Sequence, residues 1–349
     1  MRFAYGSRSG SGGSALPEAG IGVKHWRRLI LISGHRRGGT TWLNAVLGRA
    51  AEASYMRYEA FMVRRHPESP VAERVQAWRR YPHWHVDWQG YGPLRGDHAE
   101  ALREHLNFLV QHYFGGPVET LLVKDPFPGR LPFLIGALEP DAVIYVRRHP
   151  LGIVNSYDKG NLYSQWAVER DWAWFLQDLP GLLPAWIPVG QRARHPVERV
   201  ALMAQASHRL YPQFLDGTPC QEVSYEAACV RPKETFGALF EWLGWRWDET
   251  VWDQVRSIVE PPEEQVVDTF FSLTKVSEDR ASGWRRELAP HLIRRVGRAL
   301  RQVDAGVPMP GHGLPSLTLG EVKSSLRMYL LRRAAYRRGW GWRSVLASR

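Results

Sequence analysis

The chain has 349 residues, is 44% hydrophobic and carries a formal net charge of +11. That length suits one large domain or two small ones, with enough apolar material for a substantial core. The charge points to an anionic partner (nucleotide, sulfated or phosphorylated substrate, nucleic acid or lipid surface) without choosing among them, and the 2 cysteines, Cys220 and Cys229, give no basis for a disulfide scaffold or a paired CxxC zinc site.

Residues 1–25, rich in Gly and Ser, read as a disordered leader. They lack the continuous apolar stretch of a secretory signal. LILIS (29–33) is a buried parallel strand by pattern, and TWLNAVLGRA opens a helix. SYMRYEAF (54–61) reads as a second short strand and loop. Residues 97–113 read as an amphipathic helix that Asp97 can cap. TLLVKDP (120–126) and AVIYVRRHP (142–150) are two further strands ending in polar loops, the second running into a helix just after Pro150. Thereafter 198–215 and 234–245 read as helices, with QEVSYEA (221–227) a last strand and loop. WAWFLQDLPGLLPAWIPVG is broken by Asp178 and three prolines, so no spanning helix of about 18 or more apolar residues is expected. Recurring strand–helix alternation predicts an α/β chain, with one P-loop-like three-layer domain over 26–310 whose central, mainly parallel sheet is flanked by helices. Residues 311–349 form a basic extension, helical in part.

Gly34-His35-Arg36-Arg37-Gly38-Gly39 has the outline of a phosphate-binding turn between a strand and a helix. A complete nucleoside-triphosphate loop would continue with Lys and Ser or Thr; this one continues Thr40-Thr41. Successive backbone amides and a helix N-terminus still cradle an anion, the hydroxyls add donors, and the glycines allow close approach. No persuasive acidic residue for holding magnesium, which metal-dependent phosphoryl transfer commonly needs, ends an apolar strand: the clear apolar strand AVIYV ends in arginines. A second constellation follows in YVRRHPLGIVNSY. Arg148 leaves the strand, Pro150 stiffens the turn and Ser156 falls near the second helical turn, so a guanidinium and a hydroxyl converge on one phosphate. Two such anchors at neighbouring strand ends are where open α/β sheets bind ligands.

Together these segments resemble the sulfotransferases that use 3'-phosphoadenosine 5'-phosphosulfate (PAPS). The resemblance spans roughly residues 28–290. Arg37-Gly38-Gly39-Thr40-Thr41-Trp42 matches the loop that embraces the 5'-phosphosulfate, with Gly38 where serine is common. It implies that Arg37 neutralises the bridging oxygen, that Gly38 to Thr41 hold the anion, and that Trp42 packs near adenine; the plain alternative for Trp42 is a core residue. Arg148, Pro150 and Ser156 match the pattern that binds the 3'-phosphate, with Gly152 where an acidic residue is common. Tyr225 matches a tyrosine near the adenosine. In KVSEDRASGWRREL, Trp284-Arg285 fits the closing segment, while Arg280 or Lys275 compensates for basic positions that do not match. The implied cosubstrate is PAPS, the product 3'-phosphoadenosine 5'-phosphate (PAP), and no metal is expected.

Transfer to a hydroxyl needs in-line placement, a base and positive charge on the leaving phosphate. Lys124 is assigned transition-state stabilisation or acceptor orientation. Pro126 stands where many relatives have a histidine, so the candidates for the base are two carboxylates, Glu59 first and Asp125 second, with His35 and His149 flanking the donor motifs. A carbohydrate or glycolipid hydroxyl is the preferred acceptor, and WHVDWQGYG offers aromatic surface for it. The rival readings are an ATP-dependent small-molecule kinase and a non-catalytic basic nucleotide- or nucleic-acid-binding protein; no specific nucleic-acid partner is expected. The arginine-rich tail 319–349 reads either as a helix docked through its leucines or as a peripheral contact with an anionic membrane. A cytoplasmic enzyme is the simplest expectation.

Overall fold

The computed structural model describes residues 24–79, 94–165, 168–215, 217–261 and 281–304. The N-terminal leader, WHVDWQGYG, Lys275, Arg280 and the basic tail therefore lie outside the described residues. Five strands, β1 (Trp26–Gly34), β2 (Ala53–Tyr55), β3 (Val118–Asp125), β4 (Ala142–Arg147) and β5 (Cys220–Ser224), form one sheet in the order β2-β3-β1-β4-β5. Every neighbouring pair is parallel.

The period of two along β1 explains the layering. Leu29 and Leu31 enter one apolar core, Ile30 and Ile32 the other, and all four are almost fully buried. On the Ile30 face lie α1 (Thr40–Leu47), α10 (Tyr225–Val230), α11 (Pro232–Trp242) and α12 (Glu249–Val259). The larger core on the Leu29 face takes α2 (Ala72–Arg79), α3 (Leu94–Phe114), α4 (Leu131–Leu138), α5 (Pro150–Gly160), α7 (Val168–Leu182), α9 (Pro196–Leu210) and the helix Pro290–Val303. Two short helices, α6 (Leu162–Gln165) and α8 (Ile187–Arg192), complete the run between α5 and α9. The result is a single-domain α/β fold of three layers.

Local chemistry sets several of the boundaries. Helix α3 starts at Leu94, which puts Asp97 in its first turn rather than at its cap. Pro150 and Pro196 each open a helix, where the missing N–H costs nothing. His149 and His195 cap those helices by accepting from the backbone N–H of Leu151 and Val197. The apolar stretch containing Asp178 folds as α7, a 3-10 turn (Pro184–Trp186) and α8. No described helix is long and apolar enough to cross a membrane.

The topology also fixes where a ligand can sit. From β1 the chain fills the β3 and β2 side of the sheet and then the β4 and β5 side. The crevice between the carboxyl ends of β1 and β4 is the switch point of such a sheet. Gly34 pairs in register with Val146 there, and Ile32 with Lys124 on the other flank. Three adjacent strands thus deliver their C-terminal loops to one edge.

Candidate active site

The loop after β1 is a tight turn. Gly38 N–H donates to the His35 carbonyl at 2.7 Å, and Arg37 holds φ at 66°, in the left-handed region that non-glycine residues rarely occupy. That conformation at a basic residue stores strain of a kind found at binding sites. Gly39 has φ at 107°, and a Cβ there would lie 2.3 Å from Cδ2 of Tyr225. Tyr225, the first residue of α10, therefore packs the Cδ2–Cε2 side of its ring against the loop, closer than any side chain at 39 permits. The loop leads directly into α1, so its amides and the α1 N-terminus face the switch-point crevice.

Side chains from the three strand ends converge on this loop. Arg37 Nε donates to Ser156 Oγ at 2.9 Å, and Arg148 donates to the Arg37 carbonyl at 2.8 Å. Lys124 Nζ donates to Thr41 Oγ1 at 3.0 Å. Burial and the nearby positive charge of Arg148 pull the Arg37 guanidinium down to about 10. Burial likewise lowers Lys124, opposed by the negative charges of Glu59 and Asp125. Gathering three cations in one partly dehydrated place is unfavourable in isolation, and an anion with several negative oxygens offsets it. The glycine and amide cradle, the hydroxyls of Thr40, Thr41 and Ser156, and this charge fit a nucleotide bearing phosphate at two positions.

Arg148 is held from several directions. Its guanidinium carbon sits 4.2 Å above the Tyr225 ring centroid. A Cβ on Gly152 would come 3.0 Å from its Nε, so glycine in the first turn of α5 lets the arginine lie across that turn. Its own carbonyl contacts Nε2 of His208 on α9 at 2.8 Å, while Nδ1 of that ring contacts the Tyr145 hydroxyl at 3.0 Å. Burial pulls His208 down to about 3, so the ring is neutral. On the same side, Trp284 stacks on His149 with ring centroids 5.0 Å apart and planes 10° from parallel. Asn155 and Lys159, one turn apart on α5, both donate to Glu287 at 2.5 Å. The segment 281–288 is thereby fastened over the helix that carries Ser156.

The remaining candidates have distinct surroundings. Trp42 is buried edge-on between Tyr225 and Phe236, a core position. Asp125 is almost wholly buried and accepts from the Phe127 N–H at 3.0 Å and from Arg130 at 3.1 Å. Glu59 is half-buried in the loop after β2, close enough for its charge to act on Lys124. His35 is buried, contacts the Arg36 carbonyl through Nδ1 at 2.8 Å and is pulled down to about 4 by burial. Arg36 pairs with Asp171 of α7 and lies over the Phe127 ring. His35, Arg36, Phe127 and Asp171, with Pro126, Tyr157 and Met203, line a cleft beside the loops after β1 and β3. His208, Glu226 (which accepts from the His149 N–H at 3.0 Å) and Asp171 were not singled out by sequence reasoning. They lie far along the chain from the loops they support, and no local motif marks them.

A sulfotransferase family model matches residues 30–249, more than half of the chain. The chain belongs to the sulfotransferase family. Comparison with curated proteins returned no significant match. Among solved structures, this sulfotransferase is similar to the sulfotransferase domain from the curacin biosynthetic pathway (12% identity, TM-score 0.43, covering 79% of this chain and 96% of that one). It is also similar to the sulfotransferase domain from the Synechococcus PCC 7002 olefin synthase (14% identity, TM-score 0.42, covering 78% and 93%). A third is sulfotransferase STF9 from Mycobacterium avium (13% identity, TM-score 0.41, covering 81% and 78%). Membership makes the chain an enzyme of sulfuryl transfer, with PAPS the general donor of the family.

Proposed function

We propose that this chain transfers the sulfuryl group of PAPS to an acceptor hydroxyl, with the donor held between the loops after β1 and β4. The observation that carries the reading is the direct linkage of the three cations to one loop: Arg37 to Ser156, Arg148 to the Arg37 carbonyl and Lys124 to Thr41. When bound, the donor supplies an activated sulfuryl group on a 5'-phosphate leaving group. Arg37 and the amides of Gly39 to Thr41 stabilise charge growing on that phosphate, where preorganised donors act most strongly, while the Gly38 N–H closes the turn on the His35 carbonyl. Arg148 and Ser156 hold the 3'-phosphate, Tyr225 borders the adenosine, and Arg280 belongs to the same set. Lys124 orients the reacting groups from the end of β3.

Glu59 is the base in this reading. It is half-buried in the loop after β2, near enough for its charge to act on Lys124, whereas Asp125 is almost wholly buried, and a base must reach the acceptor proton. Asp125 instead fixes the turn into α4 through Arg130. The cleft beside the loop is lined by Phe127 and Tyr157 together with the Arg36–Asp171 pair. In this reading the acceptor is a carbohydrate or glycolipid hydroxyl, the class that the carboxylate base suggests.

The deciding measurement is calorimetry with PAP, ATP and AMP on the full-length protein. Saturable binding of PAP in preference to both others is expected. Preference for ATP with no response to PAP would overturn the donor assignment in favour of the kinase reading. An acceptor screen against mono- and oligosaccharides, glycolipids and simple alcohols then tests the acceptor class, and adding Mg2+ is expected to leave the rate unchanged.

A further inference from the structure

We propose that His66, Glu68 and His112 form a zinc-type divalent-cation site that fastens the loop following β2 to the C-terminal end of α3. One ligand atom from each residue lies within 4.8 Å of the others. His66 is 5% exposed, and its Nδ1 is sealed from water without a hydrogen bond. That atom faces Glu68 Oε1 at 3.5 Å, beyond the reach of a good N–H···O bond. The other ring nitrogen, Nε2, contacts the Tyr113 hydroxyl at 3.1 Å. When Nε2 carries the proton and Tyr113 accepts it, the lone pair of His66 is left on Nδ1, pointing at Glu68. A hydroxyl or carboxylate fixing the distal nitrogen is the usual second layer around a metal-bound histidine.

Two imidazoles and a carboxylate are a zinc donor set, with a fourth position for water. Bonds of about 2.0–2.1 Å in a tetrahedron place neighbouring ligand atoms roughly 3.3–3.5 Å apart. The His66–Glu68 separation of 3.5 Å already matches that edge. His112 must close in, and both it and Glu68 are exposed side chains with room to rotate. The His112 ring stands edge-on to His66 with centroids 5.6 Å apart, supported from behind by stacking on Phe108.

The site has a mechanical consequence. The segment from Glu59 to Ser69 is already tied to α3 by His105, whose nitrogens contact the Ser69 hydroxyl at 2.7 Å and the Ala60 carbonyl at 3.0 Å. A cation on His66, Glu68 and His112 adds a further tie beside the Tyr113–His66 contact near the end of the same helix. The cation site does not depend on the functional reading; only its bearing on turnover rests on Glu59 being the base.

The test uses tag-free full-length protein, stripped with a chelator, dialysed and titrated separately with Zn2+ and Co2+. One saturable equivalent is expected, with the intense visible absorption of four- or five-coordinate Co2+ and a rise in melting temperature on adding Zn2+. Glu68→Gln and His112→Ala each weaken binding by at least tenfold; the metal-free protein keeps its melting temperature in Glu68→Gln and loses a few degrees at most in His112→Ala, which removes the ring contacts with His66 and Phe108. Tyr113→Phe keeps all three ligands and weakens binding by about 10- to 100-fold. PAP affinity is unchanged by Zn2+. Absence of saturable binding, a six-coordinate Co2+ spectrum, or undiminished affinity in the Glu68→Gln/His112→Ala double variant would each overturn the site.

Discussion

Serine is the common family residue at position 38, and restoring it here is expected to damage the enzyme. The Gly38 N–H donates to the His35 carbonyl at 2.7 Å, and a Cβ at 38 would lie 2.6 Å from that same oxygen. Real Cβ atoms do not approach a backbone oxygen so closely, so the turn must open. Opening it forfeits a hydrogen bond worth about 0.5–1.5 kcal/mol. The displaced backbone then adds the roughly 1–3 kcal/mol typical of an overpacked site. Together these give about 2–4 kcal/mol, or roughly 30- to 700-fold in an equilibrium constant. Where the fold holds the loop in place, the cost appears as lost stability; where the loop relaxes, it appears as weaker PAP binding. Denaturant unfolding and PAP calorimetry on Gly38→Ser and Gly38→Ala therefore report the two parts of one quantity. The alanine variant should match the serine variant, because the Cβ causes the effect. Gly116→Ser, where a Cβ meets no atom within 4 Å, is the control and should be neutral. A Gly38→Ser protein with unchanged stability and PAP affinity would refute the turn geometry.

Other expectations follow from the same contacts. Ser156→Ala removes the acceptor of the Arg37 Nε bond, and a hydrogen bond to a charged group is worth about 1.5–3 kcal/mol, so PAP affinity should fall about 10- to 150-fold; calorimetry showing no change would remove Ser156 from the donor site. Glu59→Gln should lower turnover by about 10²- to 10⁴-fold with PAP affinity preserved, the range for loss of a general base, and unchanged turnover would reject that role. His208 is pulled from 6.5 to about 3 by burial, so the unfolded chain binds its proton first. Its contribution is complete above about pH 6.5 and is lost as pH falls towards 3, amounting to about 2 kcal/mol by pH 5. Unfolding curves at pH 7 and pH 5 should show that loss in the wild type and a smaller one in His208→Gln; equal losses would mean another group controls the acid limb.

The strands were readable because a parallel sheet covered on both faces demands short, continuous apolar runs, and LILIS and AVIYV have that form. The turns after β1 and β4 were legible as local structure for a related reason. Each packs its strand end, turn residues and helix start into a dozen consecutive positions, so the chemistry and its scaffold are written together. Tyr225 lay at the edge of legibility: its segment was taken as strand and loop, whereas Ser224 caps a helix that begins on Tyr225 itself. What could not be read is whatever arrives from elsewhere in the chain. His208 reaches the Arg148 carbonyl across 60 positions, and Glu287 meets Asn155 across 132. The Asn155–Lys159 spacing is the sole local hint of the latter, since residues four apart on a helix can share one partner. His66 and His112 lie at positions 66 and 112 of the chain, and no metal motif has that spacing.

The two departures from the family pattern, Gly38 and Gly152, acquire a common explanation in the packing. At 38 the missing side chain lets the turn close on its own carbonyl; at 152 it lets Arg148 lie flat on α5. With an acidic residue at 152, a carboxylate would be available to steady the arginine through charge. Here the steadying groups are the Tyr225 ring, the Arg37 carbonyl and, through the backbone, His208. Substituting a ring face and a neutral imidazole for a carboxylate has an electrostatic consequence. None of these supports carries a negative charge to set against the field of Arg148. The same field is felt by Arg37, whose guanidinium it helps to destabilise. On the donor assignment proposed above, an incoming 3'-phosphate would relieve that repulsion as it binds, coupling donor recognition to the positioning of Arg37.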